Sequence, residues 1–133
     1  MEVEDAVKKK LSVRVNRSAA EAYEFLSVPE NFGRWSSRGM GLRPAGSDWV
    51  AQTQEGPATI CFTERNSHGV LDHSVKLPRG ESIYVPLRVV ASGEGCELVL
   101  TLVRRPQIQE DAFAAEAELA MRDLLAAKQI LEA

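Results

Sequence analysis

Residues 107–133 read QIQEDAFAAEAELAMRDLLAAKQILEA, and this stretch decides the fold. Ile108, Phe113, Ala117, Ala120, Met121, Leu124 and Leu131 recur at helical spacing, the mark of one long amphipathic helix. At 1.5 Å per residue such a helix is roughly 35–40 Å long, about the width of a small domain. It needs an apolar surface to lie on. The segments before it alternate apolar and polar residues, as strands with one buried face do. The pattern predicts an α+β chain: a curved antiparallel sheet of about six or seven strands around a long C-terminal helix, with two short helices after the first strand.

Working back along the chain, residues 96–104 and 81–90 form two alternating runs joined at Ser92-Gly93-Glu94-Gly95, a hairpin-length link. Pro86 cannot donate to a ladder, so an edge position or a bulge is expected there. Residues 70–77 and 58–65 read as two more strands, joined through Asn66-Ser67-His68-Gly69. Glu55-Gly56-Pro57 reads as a turn, and short strands are expected at 48–53 and 40–43. Near the start, Leu11, Val13 and Val15 share one face of a first strand at 9–15. Ser18 with Glu21 three residues on is a capping-box signature for a helix over 18–27, whose apolar side carries Ala19, Tyr23, Phe25 and Leu26. Pro29 ends that helix or begins a second short one over 29–35, where it suits the first turn.

Length and composition bound the function. A chain of 133 residues suits one domain, placed here over 1–133. The net charge of -3 argues against a general nucleic-acid binder. The Lys8-Lys9-Lys10 run reads as a solvated strand start. No apolar run approaches the roughly 18 residues of a membrane span, so no membrane insertion is expected. The N-terminal MEVEDAVKKK has no apolar stretch behind its charges and is not a secretory signal. Glu4-Asp5 reads as a solvated terminus, and Glu110-Asp111 as the favourable acidic start of a helix. Cys61 and Cys96 read as two small buried thiols of a cytoplasmic protein. There is no C-x-x-C pair, zinc ligand set, glycine-rich nucleotide loop or serine elbow. No cofactor and no metal site are expected.

Strand alternation sorts the side chains. Leu71, His73, Val75 and Leu77 share one face, opposite Asp72, Ser74 and Lys76. Ile83, Val85, Leu87 and Val89 stand opposite Tyr84, Pro86 and Arg88. Cys96, Leu98, Leu100 and Leu102 make a third row, and Ile60 and Phe62 a fourth, with Glu64 expected to turn outward. Each apolar row is expected to face the long helix, whose inner stripe is Phe113, Ala117, Met121 and Leu124, with Lys128 carrying its charge back to water. Ala114, Ala115, Ala117 and Ala120 would let helix and sheet approach closely. A cavity between them would be lined by Phe62, Leu71, Val75, Ile83, Val85, Leu87, Leu98 and Leu100 from the sheet, and by that stripe. Trp35 and Trp49 read either as the mouth of such a cavity or as core filler. His73 is a polar residue within an apolar row. It reads as a core imidazole, as a handle that orients a ligand, or as a general base, and it is the one catalytic candidate.

The chain resembles the START-like superfamily, also called helix-grip, Bet v 1-like or SRPBCC, and within it the polyketide cyclase/dehydrase type. The resemblance begins in VRVNRSAAEAYEFLSVPENFGRWSS, residues 13–37, through Tyr23, Phe25, Leu26, Pro29, Phe32 and Trp35. It continues in FTERNSHGVLDHSVKL (62–77) and VPLRVV (85–90), and ends in Phe113, Met121 and DLLAAK (123–128). It covers nearly the whole chain. It implies the helix-grip fold and an apolar ligand held between sheet and last helix. It implies no catalytic set, because the superfamily shares none.

Three functions are therefore expected in order. The first is binding of a small hydrophobic molecule, whether aromatic, acyl or lipid-like. The second is a polyketide cyclase or dehydratase acting on a carbonyl compound, with His73 as base and Tyr84 or Arg88 turned inward by a bulge at Pro86. The third is a structural or interaction protein, a homodimer pairing through an edge or through Val90, Val99 and Val103 on the outer face.

Overall fold

Ser18 starts the first helix in the way its sequence implies. Its hydroxyl accepts from the Glu21 backbone N–H at 3.1 Å, and the Glu21 carboxylate accepts from the Ser18 N–H at 3.3 Å. Ser18→Ala leaves that N–H without its side-chain partner and is expected to cost about 1 kcal/mol, read by urea denaturation. The computed structural model describes residues 8–53 and 55–133. The expectations on Glu4, Asp5 and the beginning of the N-terminal segment lie outside the described residues.

Strand β1 (Lys8–Val15) leads into α1 (Ala19–Leu26). A 3-10 turn at Pro29–Asn31 runs directly into α2 (Phe32–Trp35). Strands β2 (Arg43–Ala45), β3 (Asp48–Thr53), β4 (Gly56–Phe62), β5 (His73–Lys76), β6 (Ser82–Val85), β7 (Leu87–Ser92) and β8 (Gly95–Val103) follow, and α3 (Glu110–Glu132) closes the chain. With 23 residues, α3 is about 34 Å long. All ladders are antiparallel, in the orders β1-β8-β7 and β2-β3-β4-β5-β6.

Pro86 is where the two orders meet. β6 and β7 are one extended run interrupted at this residue, which makes eight strands among the described residues where about six or seven were expected. The break is bridged from the β5 side: the Leu71 N–H donates to the Leu87 carbonyl at 2.8 Å and the Val89 N–H to the Gly69 carbonyl at 2.9 Å. On the other side the Thr101 N–H donates to the Pro86 carbonyl at 3.0 Å. The result is one curved surface that wraps α3. Gly69 has no substitute at this crossing. Its φ is 72°, and an added Cβ would stand 2.4 Å from the Val89 carbonyl oxygen.

Several boundaries differ from the sequence expectation. Residues 40–42 form a turn, and the short edge strand starts at Arg43. β4 begins two residues early, through the expected Glu55-Gly56-Pro57 turn, and ends at Phe62. β5 is only four residues long. The Asn66 side chain explains its late start. It accepts from the His68 and Val70 N–H groups and donates to the Glu64 and Val70 carbonyls, so the segment satisfies itself as a loop. Glu64 lies in that loop and is exposed. Cys61, expected inside, is exposed, because it alternates with the fully buried Ile60; both cysteines are free thiols. Helix α3 starts at Glu110, and Ala114 and Ala115 face outward.

The core lies between the sheet and α3. Phe113, Ala117, Leu124 and Ala127 are the buried residues of the helix, at spacings of four, seven and three. They meet Leu11 and Val15 of β1 and the rows Leu98, Leu100, Leu102 and Val85, Leu87, Val89. Lys128 does carry its charge to the surface, where its Nζ donates to the Arg14 carbonyl at 2.7 Å and to Glu132 at 2.8 Å. No helix among the described residues is long and apolar enough to cross a membrane.

Candidate functional site

The short turn after β1 matters because of what it delivers. α2 is one turn long, and it places Phe32 and Trp35 against the inner face of the sheet, 2% and 5% exposed. Phe32 is the hub of an aromatic cluster. Its ring centroid lies 5.3 Å from Trp35, 5.2 Å from Phe62 and 5.3 Å from His73, all edge-on. Edge-to-face packing of this kind suits the opposed charge of ring rim and face.

His73 therefore belongs to a buried aromatic cluster. Its Nδ1 lies 3.2 Å from the Leu71 carbonyl oxygen, which makes Nδ1 the protonated nitrogen and leaves Nε2 as the acceptor. Burial pushes its pKa down to about 4, with the Arg38 charge acting in the same direction and the Leu71 carbonyl against it. The imidazole is neutral at pH 7.

Two cavities flank His73 and Trp35. The larger, about 50 Å³, lies between the sheet and α3. Its walls are Trp35, Ser36, Ser37 and Arg38, then His73 with Val85, Leu100 and Leu102, and finally Glu116, Leu119, Ala120 and Asp123 of α3. The smaller, about 10 Å³, is enclosed by Leu26, Ser27, Phe32, Trp35, Phe62, Thr63, Leu71, His73 and Leu87. A cavity this size holds about one water at most.

Polar groups gather at one end of the larger cavity. Asp123 accepts from the Ser37 N–H and hydroxyl, both at 3.0 Å, which ties the segment after α2 to the long helix. Burial raises the Asp123 pKa above the ordinary carboxylate value, while Ser37 and the Arg38 charge pull it down. Burial lowers the Arg38 pKa, and the nearby carboxylates of Glu116 and Asp123 oppose this. Among the described residues the Arg38 guanidinium has neither a hydrogen bond nor a salt bridge. The Trp35 indole N–H is also buried without a partner among them. An orphaned donor of this kind costs about 1–3 kcal/mol. Arg105 joins the site from the side, donating to Glu81 at 2.6 Å and to Glu116 at 2.7 Å.

The outer face carries a separate cluster. Asp72, 4% exposed, accepts from the Tyr84 hydroxyl at 2.6 Å, the Leu87 N–H at 2.9 Å, and the Arg88 Nε and Nη2 at 2.9 Å each. The Arg88 guanidinium beside it, with Tyr84 and Leu87, holds the Asp72 pKa down at about 2 against burial. Pro86 introduces no inward bulge, so Tyr84 and Arg88 stay outside.

Of the sequence candidates, Trp35, His73, Val85 and Leu100 line the larger cavity, and Trp35, Phe62, Leu71, His73 and Leu87 the smaller. Val75, Leu98, Phe113, Ala117 and Leu124 are buried in the core, and Ile83 and Met121 are packed partly against it; none of these lines either cavity. Trp49 lies on β3, half-buried, away from both. The sequence reading missed Arg38 and the neighbouring serines, which sit in a segment with no periodicity. It also missed Glu116, Leu119, Ala120 and Asp123. Their three-and-four spacing forms a second stripe beside the apolar one, and that was a readable signal.

No family model matches the sequence, and no curated protein is similar enough to stand as a relative. Solved structures do match in shape. A protein encoded in the dynemicin biosynthetic locus, DynU16, superposes with a TM-score of 0.72 at 15% identity over 94% of this chain, which spans 47% of that protein. A START superfamily protein from Mycobacterium smegmatis gives 0.71 at 13% identity, covering 94% of this chain and 97% of that one. The Aha1 dimer from Colwellia psychrerythraea gives 0.71 at 13% identity, covering 95% and 96%. The curved sheet gripping α3 is the helix-grip fold of the Bet v 1-like, START/SRPBCC superfamily, and at these identities the likeness is one of fold.

Proposed function

We propose that the protein binds a small hydrophobic molecule, aromatic or acyl, between the sheet and α3. The observation that supports this reading is the cavity at Trp35, His73, Val85, Leu100 and Leu102, which has apolar walls and a few polar groups at one end, the usual composition of a small-molecule site. Its volume of about 50 Å³ is well below the roughly 150 Å³ that takes a benzene ring. One end of a ligand enters, and the rest extends past Ser37 and Leu119 or displaces α3.

The cyclase reading has less support. Tyr84 and Arg88, its oxyanion donors, stand on the far side of the sheet, engaged by Asp72. An imidazole with a pKa of about 4 is a weak base at neutral pH. Binding with His73 as a neutral handle fits these facts better than proton abstraction. The single domain over 1–133 and a cytoplasmic site of action, in keeping with two free thiols, belong to the same proposal.

Native mass spectrometry of the purified protein, followed by denaturing extraction, is the direct test. The expected result is an adduct at one ligand per chain, released on unfolding. A protein that is isolated empty and takes up nothing from a panel of aromatic and acyl compounds ends this reading.

A further inference from the structure

The polar end of the cavity carries an imbalance between its donors and its charge. Two donors of the wall residues lack a protein partner among the described residues: the buried Trp35 indole N–H, and the guanidinium of the half-buried Arg38, which water can still reach. The neutral His73 ring has already given its Nδ1 proton to the Leu71 carbonyl, so toward a ligand it can only accept. The charges are distributed the other way. Arg38 and Arg105 are the cations at this end, facing the carboxylates of Glu116 and Asp123 in the cavity wall and of Glu81 behind Arg105. Two cations thus meet three carboxylates, so the site is already in negative excess while the Trp35 N–H finds no acceptor.

From this we infer that the cavity receives a neutral oxygen acceptor, the carbonyl of a ketone, ester or amide, in preference to a carboxylate. The carbonyl oxygen has two lone pairs and can take both the Trp35 N–H and an Arg38 N–H. It does so without adding charge where the surroundings are poorly solvated. A carboxylate head would offer the same acceptors, but it would add a fourth negative charge beside Asp123 and Glu116. A hydrocarbon would leave the buried Trp35 N–H unpaired. This inference rests on the binding reading and specifies the ligand's head group.

Three probes of similar shape test it: acetophenone, benzoate and ethylbenzene. Each is titrated into 15N-labelled protein while the two tryptophan indole signals are followed by NMR. Trp35→Phe removes one signal and so assigns it. Acetophenone is expected to bind at least about tenfold tighter than either other probe, the worth of a hydrogen bond to a charged donor. It should move the Trp35 indole proton downfield. Arg38→Met should remove most of that preference. If benzoate binds tightest, or if all three bind alike with the Trp35 indole unmoved, the head-group assignment is overturned and apolar binding stands. If none binds at millimolar concentration, the binding reading falls and the assignment with it. The wild-type comparison decides the matter even if Arg38→Met does not fold.

Discussion

Asp72→Ala is expected to lower the unfolding free energy by about 2–4 kcal/mol, although the side chain belongs to the outer row of the sheet. The reason is the break at Pro86. A proline cannot donate to a ladder, and the next donor, the Leu87 N–H, falls where the strand changes partners. The Asp72 carboxylate takes that N–H and uses its remaining lone pairs on Tyr84 and Arg88. Alanine leaves the Leu87 N–H buried and unpaired, while the half-exposed Arg88 can return to water. The same contacts set an acid dependence. The folded pKa of about 2 lies below the ordinary carboxylate value of about 3.9. The stabilisation, about 2–3 kcal/mol, is therefore present above about pH 4 and is lost as the pH falls from there through 2. Arg88→Ala removes the largest cause of the depression, so the acid-dependent loss should be smaller and complete at a higher pH. Urea denaturation of the two variants at pH 7 and across pH 2–5 measures both effects. A cost for Asp72→Ala below about 1 kcal/mol, the value of an exposed ion pair, would mean that the clasp does not hold the break together.

His73 gives the second large effect, with opposite chemistry. Its folded pKa of about 4 lies below the unfolded value of about 6.5, so between these values the unfolded chain binds the extra proton. Stability is unaffected above pH 6.5 and falls by about 3 kcal/mol on acidification to pH 4. The charged groups acting on the ring are Arg38, which adds to the depression, and Asp72, which opposes it. His73→Phe keeps an aromatic edge against Phe32 and Phe62 and should flatten the stability profile between pH 4 and 6.5. An unchanged slope in that variant would show that the imidazole is not the buried neutral group described here.

These two residues also show where sequence reading works and where it stops. Alternation placed His73 inside and Asp72, Tyr84 and Arg88 outside, because a period of two follows from the pleat alone. It could not bring the last three together, since that needs the β5–β6 register, which opposes His73 with Val85. The capping box at Ser18 and Pro29 at a helix start were legible because each is a local hydrogen-bonding or steric event. The strand ends were not. β5 is trimmed by a side chain, Asn66, that competes for the backbone groups around it. Arg38 was the hardest to find. Its segment has no repeat, and its place in the cavity is set by Asp123, 85 residues further on, through the bonds to Ser37.

The inward face of α3 has a mechanical consequence. Where it meets the sheet it presents Ala117, Ala120 and Ala127 between its few larger side chains. An alanine has no rotamer to swing aside, so at these positions the wall cannot soften by side-chain rearrangement. At these positions a gain in internal space comes from displacement of the whole rod, the small sliding of a packed helix that accompanies shear motions. The Ser37–Asp123 bonds, the Arg105 fork to Glu116, and the bonds of Lys128 to the Arg14 carbonyl and of Glu132 to the Asn16 N–H are tethers such a stroke has to stretch. How far those tethers yield sets how much a molecule can gain by displacing the helix.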